Sequence, residues 1–333
     1  MTATVTGHLG RTATESRRRT LDWTAVLAAP RRRKLQLALG LIWLIDAALQ
    51  YQPYFFGRDF VTQTIEPTYA GTPYMVARPS SWAAHIMVQH ITLYNSLFAT
   101  IQLLIAAAIF FKPTVRLGLA LSIPWSLGVW WFAEGIGGIT LGASPVMGAP
   151  GAVLLYALIA LLVWPRRADG ERDPDGIESV ATGGALGSRL PLALWAVLWG
   201  GFIALGLETV NRAPSALGAS IQAMASGEPG WIQSMDRGLA NLIGNDGTEW
   251  SLVLAALFGL IAIGVFAAPT IRPAIILAVL VGAAFWVAQD FGATLTGSGT
   301  DVNSGPLLVL LAATYWPLSR STRNQEARGT LVG

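Results

Sequence analysis

The sequence predicts an all-α, polytopic membrane helical bundle, with eight transmembrane helices arranged as two parallel four-helix repeats and extended extracytoplasmic loops. Three observations carry this expectation. The first is composition: the 333 residues are 53% hydrophobic and 12% charged, with 13 Trp and a mean hydropathy of +0.51. Soluble domains carry about 25% charged residues, so apolar runs repeated along such a chain face lipid. The second is charge placement, since Lys and Arg gather on one side of the predicted spans. The third is an internal repeat.

The elements follow in order. Residues 1–34 form a basic cytoplasmic tail with clusters at Arg17–Arg19 and Arg31–Lys34 and no convincing cleavage site. A short interfacial segment at Leu21–Ala29 is compatible with this reading. A bilayer core of roughly 30 Å takes about 20 helical residues. The apolar runs of that order are Leu35–Phe55, Tyr94–Phe111, Val115–Glu134, Ala149–Trp164, Leu190–Val210, Trp250–Ala268, Ile271–Asp290 and Ser304–Leu318. The fourth and eighth are short for a full crossing.

With the N-terminus inside, 18 of the 22 basic residues fall on the cytoplasmic side; the other four are Arg58, Arg78, Arg212 and Arg237. The positive-inside rule therefore sets both termini in the cytoplasm, for a multi-pass protein of the plasma membrane. The pI of about 9.4 follows from topology and implies no nucleic-acid partner. The partner implied is the lipid bilayer, with other membrane or extracytoplasmic subunits as further candidates. The chain has no Cys, which excludes disulfides, thiolate metal sites and cysteine nucleophiles.

Shifting the chain by 156 residues sets Trp43 on Trp199 and Pro113-Thr114-Val115-Arg116 on Pro269-Thr270-Ile271-Arg272. One residue of slippage then sets Trp131-Phe132-Ala133-Glu134 on Trp286-Val287-Ala288-Gln289. Helical repeats must share a packing plan, and shared Pro, Arg and Trp landmarks mark it. The units are residues 35–165 and 190–318. Four spans each is an even number, so the repeats are parallel. Residues 166–189 read as a flexible cytoplasmic linker and 319–333 as a cytoplasmic tail. In the long first outer loop of each unit, Ser80–Ile91 and Asp236–Asn245 read as short helices at the membrane surface.

Ionisable groups in spans are costly and raise functional hypotheses. Asp46 is the deepest and must face protein or water, or be protonated. Gln52 aligns with Glu208 and Glu134 with Gln289, so each unit carries one carboxyl and one amide in swapped order. His85, Gln89 and His90 align with Asn241, Asn245 and Asp246, and Asp290 follows Gln289. These residues are the candidate ligand or proton site, pointing into a shared polar region near the outer leaflet; pairing that merely holds the loop helices on the bundle is the plainer alternative. His85 and His90 are five apart and do not share a helical face. Hydrogen bonding, haem ligation, soft-metal ligation and a proton-linked switch stay open for them, and no metal site is assigned. Trp125, Trp130, Trp131 and Trp286 are candidates for an apolar wall, or interfacial anchors. The glycines Gly135-Ile136-Gly137-Gly138 and Gly292–Gly299 suit a sharp re-entry or close backbone approach. No catalytic residue can be named, since signatures for nucleotide binding, kinase, hydrolase and zinc-protease chemistry are missing.

The stretch Leu39-Gly40-Leu41-Ile42-Trp43-Leu44-Ile45-Asp46-Ala47-Ala48-Leu49-Gln50 resembles the first helix of DoxX-like membrane proteins, which are compact four-helix units. The resemblance would cover about Leu35–Pro165 and Leu190–Pro317, each with an enlarged outer loop. It implies association with membrane-bound sulfur-oxidation, quinone-reduction or oxidative-stress complexes, and so an accessory, redox-associated subunit; a bound quinone or haem is the cofactor to look for. The expected function is thus a redox-associated subunit with a polar pocket near the outer leaflet for a quinone-like or other apolar ligand. A scaffold docking an extracytoplasmic partner and a small-solute or proton-coupled transporter are the alternatives.

Overall fold

A computed structural model describes residues 29–165, 178–224 and 228–318. The Arg17–Arg19 cluster, nearly all of the Leu21–Ala29 segment, the charged part of the linker and the C-terminal tail lie outside the described residues.

Every regular element among the described residues is helical. The α-helices are α1 (Arg31–Leu49), α2 (Glu66–Tyr69), α3 (Tyr74–Gln89), α4 (Ile91–Phe110), α5 (Val115–Phe132), α6 (Ala152–Leu162), α7 (Arg189–Gly206), α8 (Ala216–Met224), α9 (Gly230–Ile243), α10 (Gly247–Gly264), α11 (Ile271–Ala288) and α12 (Ser304–Thr314). Four of them, α4, α7, α10 and α11, are long and apolar enough to cross a membrane. The other two long bundle helices, α1 and α5, fall short of that measure for visible reasons. The first turn of α1 is Arg31-Arg32-Arg33-Lys34, and α5 carries Pro124 and several Trp.

Helix ends differ from the sequence expectation, and α1 shows why. It stops at Leu49 rather than Phe55, because Pro53 forces Gln52 into extended backbone (φ −66°, ψ 146°). It starts earlier, at Arg31, because three guanidiniums find carbonyl acceptors. Arg32 donates to Trp164 O (2.8 Å) and Val180 O (2.9 Å), Arg33 to Ile109 O (2.8 Å) and Arg31 to Ala313 O (3.3 Å). Ile109 and Ala313 lie in the last turns of α4 and α12, and Trp164 just beyond α6, where helix carbonyls lack intrahelical partners and cations are favoured. The arginines therefore fasten three helix ends.

The linker also departs from expectation. Its described part, from Glu178, is packed rather than flexible: Ser179, Val180 and Ala181 are buried. Ala181 N donates to Thr314 O (3.0 Å) and Leu318 N to Glu178 O (2.9 Å). The loop helices are longer than expected too, α3 starting at Tyr74 and α9 at Gly230, each directly behind a proline with φ −55°. Proline pre-sets that entry angle.

Packing follows one order in each half of the chain. Helix α1 packs on α4, α4 on α5 and α5 on α6; α7 packs on α10, α10 on α11 and α11 on α12. The short helices α6 and α12 pack on each other and join the halves, with α12 also touching α1. One apolar cluster runs through both halves, from Leu39, Trp43, Tyr156 and Ile159 to Trp195, Trp199, Phe258 and Leu308. A separate small one, around Phe55, Phe60, Val61, Ile65, Ala84 and Met87, fills the first outer loop. The long helices turn other apolar side chains outward, among them Leu41, Leu93, Leu117, Val197, Ile263 and Leu280. A ring of exposed apolar residues on every long helix is the surface expected where lipid is the solvent.

Candidate functional site

The site forms at the end of the bundle where α5 and α11 stop. The chain leaves both helices through left-handed turns. Gly135, Ile136, Gly137, Gly138 and Gly142 have positive φ after α5, and Asp290, Phe291, Gly292, Ala293 and Gly297 after α11. Each pair is separated by 155 residues (290 − 135). Left-handed backbone costs a non-glycine residue about 1–2 kcal/mol. Three such residues in the second turn, Asp290, Phe291 and Ala293, are therefore held by their surroundings.

Each turn reaches the other half of the chain. The Cα of Gly142 lies against Glu208 and Val210, and Gly297 lies near Gln52 Oε1. Asn211 Nδ2 donates to Gly142 O (2.8 Å), and Gln289 Nε2 to Val146 O (2.9 Å). The carboxyl and amide that swap between Gln52 and Glu208 thus face equivalent turns in opposite halves. The pair Glu134 and Gln289 lies at the starts of α6 and α12. Glu134 sits beside Gly151 with the Val153 backbone amide near it, and Gln289 Oε1 accepts from Ser304 Oγ (2.9 Å). A helix start presents unpaired N–H groups, which suits an acceptor oxygen.

Between the two turns and the starts of α6 and α12 lies a cavity of about 370 Å³. Its wall includes Thr68, Glu134, Gly137, Leu141, Met147, Gly151, Gly292, Thr300, Asp301 and Asn303. Asp301 is held at the rim: Asn303 N donates to its Oδ1 (2.6 Å) and Thr300 Oγ1 to its Oδ2 (2.9 Å). Burial pushes the Asp301 carboxyl above its usual range, against the opposite pull of those two hydrogen bonds. Behind the wall is Asp46, 2% exposed, on α1. Tyr156 of α6 donates its hydroxyl to Asp46 Oδ2, while Oδ1 has no partner. Asp46 and Glu134 both lie near enough to Asp301 for their charges to interact. Glu134 Oε2 likewise has no hydrogen-bond partner. Three carboxyls and a tyrosine therefore converge, and no Lys, Arg or His is among the described residues of the lining.

A second carboxyl group of three lies in the other half. Glu228, Asp236 on α9 and Asp290 are 4%, 0% and 1% exposed; Asp236 and Asp290 lie within hydrogen-bond reach of each other, and no other donor reaches the three carboxyls. Burial raises Asp236 above the usual carboxylate range. It raises Glu228 too, with the Asp236 charge adding to the effect. At the matching positions of the first half stand Thr72, Ser80 and Gly135, where Ser80 Oγ simply donates to Trp131 O (3.0 Å).

Other sequence candidates do not join the cavity. His85, Gln89 and His90 are exposed, and Gln89 Nε2 bonds His85 Nε2 (2.9 Å) on the surface of α3. Asn241, Asn245 and Asp246 are exposed at the end of α9. They align along the sequence but lie exposed, because the buried faces of α3 and α9 run through Val76, Ser80, Ala84 and Met87 and through Ile232, Asp236, Ala240 and Ile243. The tryptophans form no common wall. Trp125 packs on Phe98, Trp130 Nε1 donates to Pro150 O (2.6 Å), Trp131 is exposed and Trp286 packs on Phe291. Among the described residues no three His, Asp or Glu groups converge with metal-ligand spacing.

Asp301 and Tyr156 are the site residues that sequence reasoning missed. Asp301-Val302-Asn303-Ser304 before an apolar run is a helix-start signature, and Asn303 Oδ1 does accept from Ser304 N (2.7 Å). Read that way, the segment would have drawn attention to the carboxyl beside it. No family model, curated protein or solved structure matches the chain.

Proposed function

We propose that this chain is an integral plasma-membrane protein of eight spans, two copies of one four-helix unit with both termini cytoplasmic, that holds a small ligand in the carboxyl-lined cavity on its outer side. The duplication is supported by the matched left-handed turns and by equivalent side-chain bonds. Thr114 Oγ1 donates to Ala108 O and Thr270 Oγ1 to Gly264 O, both at 2.9 Å and 156 residues apart.

The cavity is the observation that carries the ligand reading. Helices α6 and α12 have 11 residues each, about 16 Å at 1.5 Å per residue, roughly half of a bilayer core. Both are buried in the centre of the bundle, so lipid does not see their shortness. The remaining depth is taken by irregular turns and the cavity. Non-helical backbone at membrane depth is tolerated where it is buried in protein or lines a polar chamber. Its lining favours a small polar ligand over a flat apolar one, because none of the four tryptophans belongs to it.

The wider role we propose is that of a DoxX-like, redox-associated accessory subunit, supported by the four-helix plan and the opening helix around Leu39–Gln50. Purification in lipid nanodiscs, solvent extraction and mass spectrometry test the binding. A molecule carried by the wild type and lost in Glu134→Gln/Asp301→Asn supports the reading. The same extract from both proteins, with both folded, refutes it.

A further inference from the structure

We infer that the cavity takes a small organic ammonium ion and that its binding expels a proton from the set Asp46, Glu134 and Asp301, which makes the site a cation–proton exchanger. This rests on the cavity being the ligand site proposed above.

The charge distribution is one-sided. Glu134 and Asp301 line the cavity and Asp46 lies directly behind it, nine-tenths buried and more, with Oδ1 unpartnered. The groups that face this set from each neighbouring element are Tyr156 on α6 and the neutral Thr300 and Asn303 before α12. On the side of α4, Gln50 and Asn95 satisfy each other through two hydrogen bonds of 2.8 and 2.9 Å. None of these carries a positive charge. Carboxyls whose charges act on one another with no cation between them resist ionising together, so protons take its place. A cation that enters favours the ionised form, and the proton leaves: R–NH₃⁺ and protein–COOH give the carboxylate–ammonium pair and H⁺. The coupling is reciprocal, so protons must also weaken cation binding.

The lining selects the kind of cation. A metal ion needs several oxygens within about 2.0–2.6 Å of one point, and no three acidic groups among the described residues have that spacing. The volume of about 370 Å³ is also many times the ~30 Å³ share of one water. An ammonium group can instead hand separate N–H donors to Glu134 Oε2 and to Asp301, with its carbon body against Leu141, Ala143 and Met147. Among the described residues no aromatic ring lines the cavity, so they build no cage of the kind that recognises quaternary ammonium.

The test uses the full chain in nanodiscs, in weakly buffered solution at neutral pH with an indicator dye. Methylammonium and 1,4-diaminobutane are the probes, tetramethylammonium and KCl the controls. The expected result is saturable binding of the two amines, with up to one proton released per bound ammonium and none for the controls. Affinity should fall by up to about tenfold per pH unit of acidification, the limit for one competing proton. Glu134→Gln/Asp301→Asn should abolish both signals. Amine binding without proton release overturns the exchange and leaves the cavity as a ligand site. No amine binding, with another molecule extracted only from the wild type, overturns the ammonium assignment alone. No ligand of any kind that separates wild type from variant overturns both readings. The proton count is made on the wild type, so it decides the exchange even if the variant does not fold.

Discussion

Gly292→Ala tests whether the left-handed turns are held by close contact with the backbone that leads into the next helix. Gly292 has φ +76°, and a Cβ there would lie 2.6 Å from Asp301 O and 2.8 Å from Val302 C. Two costs add. The left-handed conformation costs an alanine about 1–2 kcal/mol, and overpacking against backbone that cannot rotate away costs about 1–3 kcal/mol. The expected loss is about 2–5 kcal/mol. Gly187→Ala isolates the first cost, since Gly187 has φ +71° with nothing within 4 Å of its added Cβ. Thermal unfolding in nanodiscs, followed by tryptophan fluorescence, compares the two. Gly292→Ala should melt several degrees below Gly187→Ala, and Gly137→Ala, crowded by Pro150, should behave like Gly292→Ala. Equal melting of Gly292→Ala and Gly187→Ala would refute the argument that close approach, rather than φ alone, demands glycine there.

Three further outcomes are expected. Trp43→Phe should cost about 1 kcal/mol more than Trp199→Phe, because Trp43 Nε1 donates to Ser122 Oγ (3.0 Å) while buried Trp199 Nε1 has no partner; chemical unfolding of both variants checks this. Glu228 and Asp236 have carboxyls raised above their unfolded values, so the folded state binds more protons than the unfolded one above about pH 4. Their stabilisation is complete below that pH and is lost as pH rises through the raised values. Melting temperature should therefore fall with pH more steeply in the wild type than in Asp236→Asn. Arg32→Met should keep the apolar stem but release the carbonyls of Trp164 and Val180, seen as faster amide exchange at the end of α6 and in residues 178–187.

Much of the helical plan was legible because apolar run length and proline landmarks act locally. Pro113-Thr114 and Pro269-Thr270 stood out in the sequence, and each threonine ties the end of one helix to the start of the next. Glycine clusters after α5 and α11 could be seen to need unusual backbone, but not that it would be left-handed. Asp301 was not legible as a site residue, because a carboxyl in a polar loop looks the same whether it faces solvent or a cavity. His85 and His90 lie on exposed faces for the converse reason: aligning two segments reports position along a helix, and only packing decides which face is buried. Arg31–Arg33 illustrate a third limit, since a run of basic residues says nothing about the carbonyls its guanidiniums will reach.

The cysteine-free chain offers the most direct measurement of the central claim, that an acidic cavity opens on the outer face. Met147→Cys places a thiol in the cavity wall, and exposed Lys112→Cys places one at the opposite end of the bundle. Small membrane-impermeant thiosulfonates of either charge are applied to sealed cells. Met147→Cys should react from outside, faster with the cationic reagent than with the anionic one, and Glu134→Gln/Asp301→Asn should level the two rates. Lys112→Cys should react only after permeabilisation. Modification of Met147→Cys from inside alone, or equal rates for both charges in the parent, would contradict the central claim.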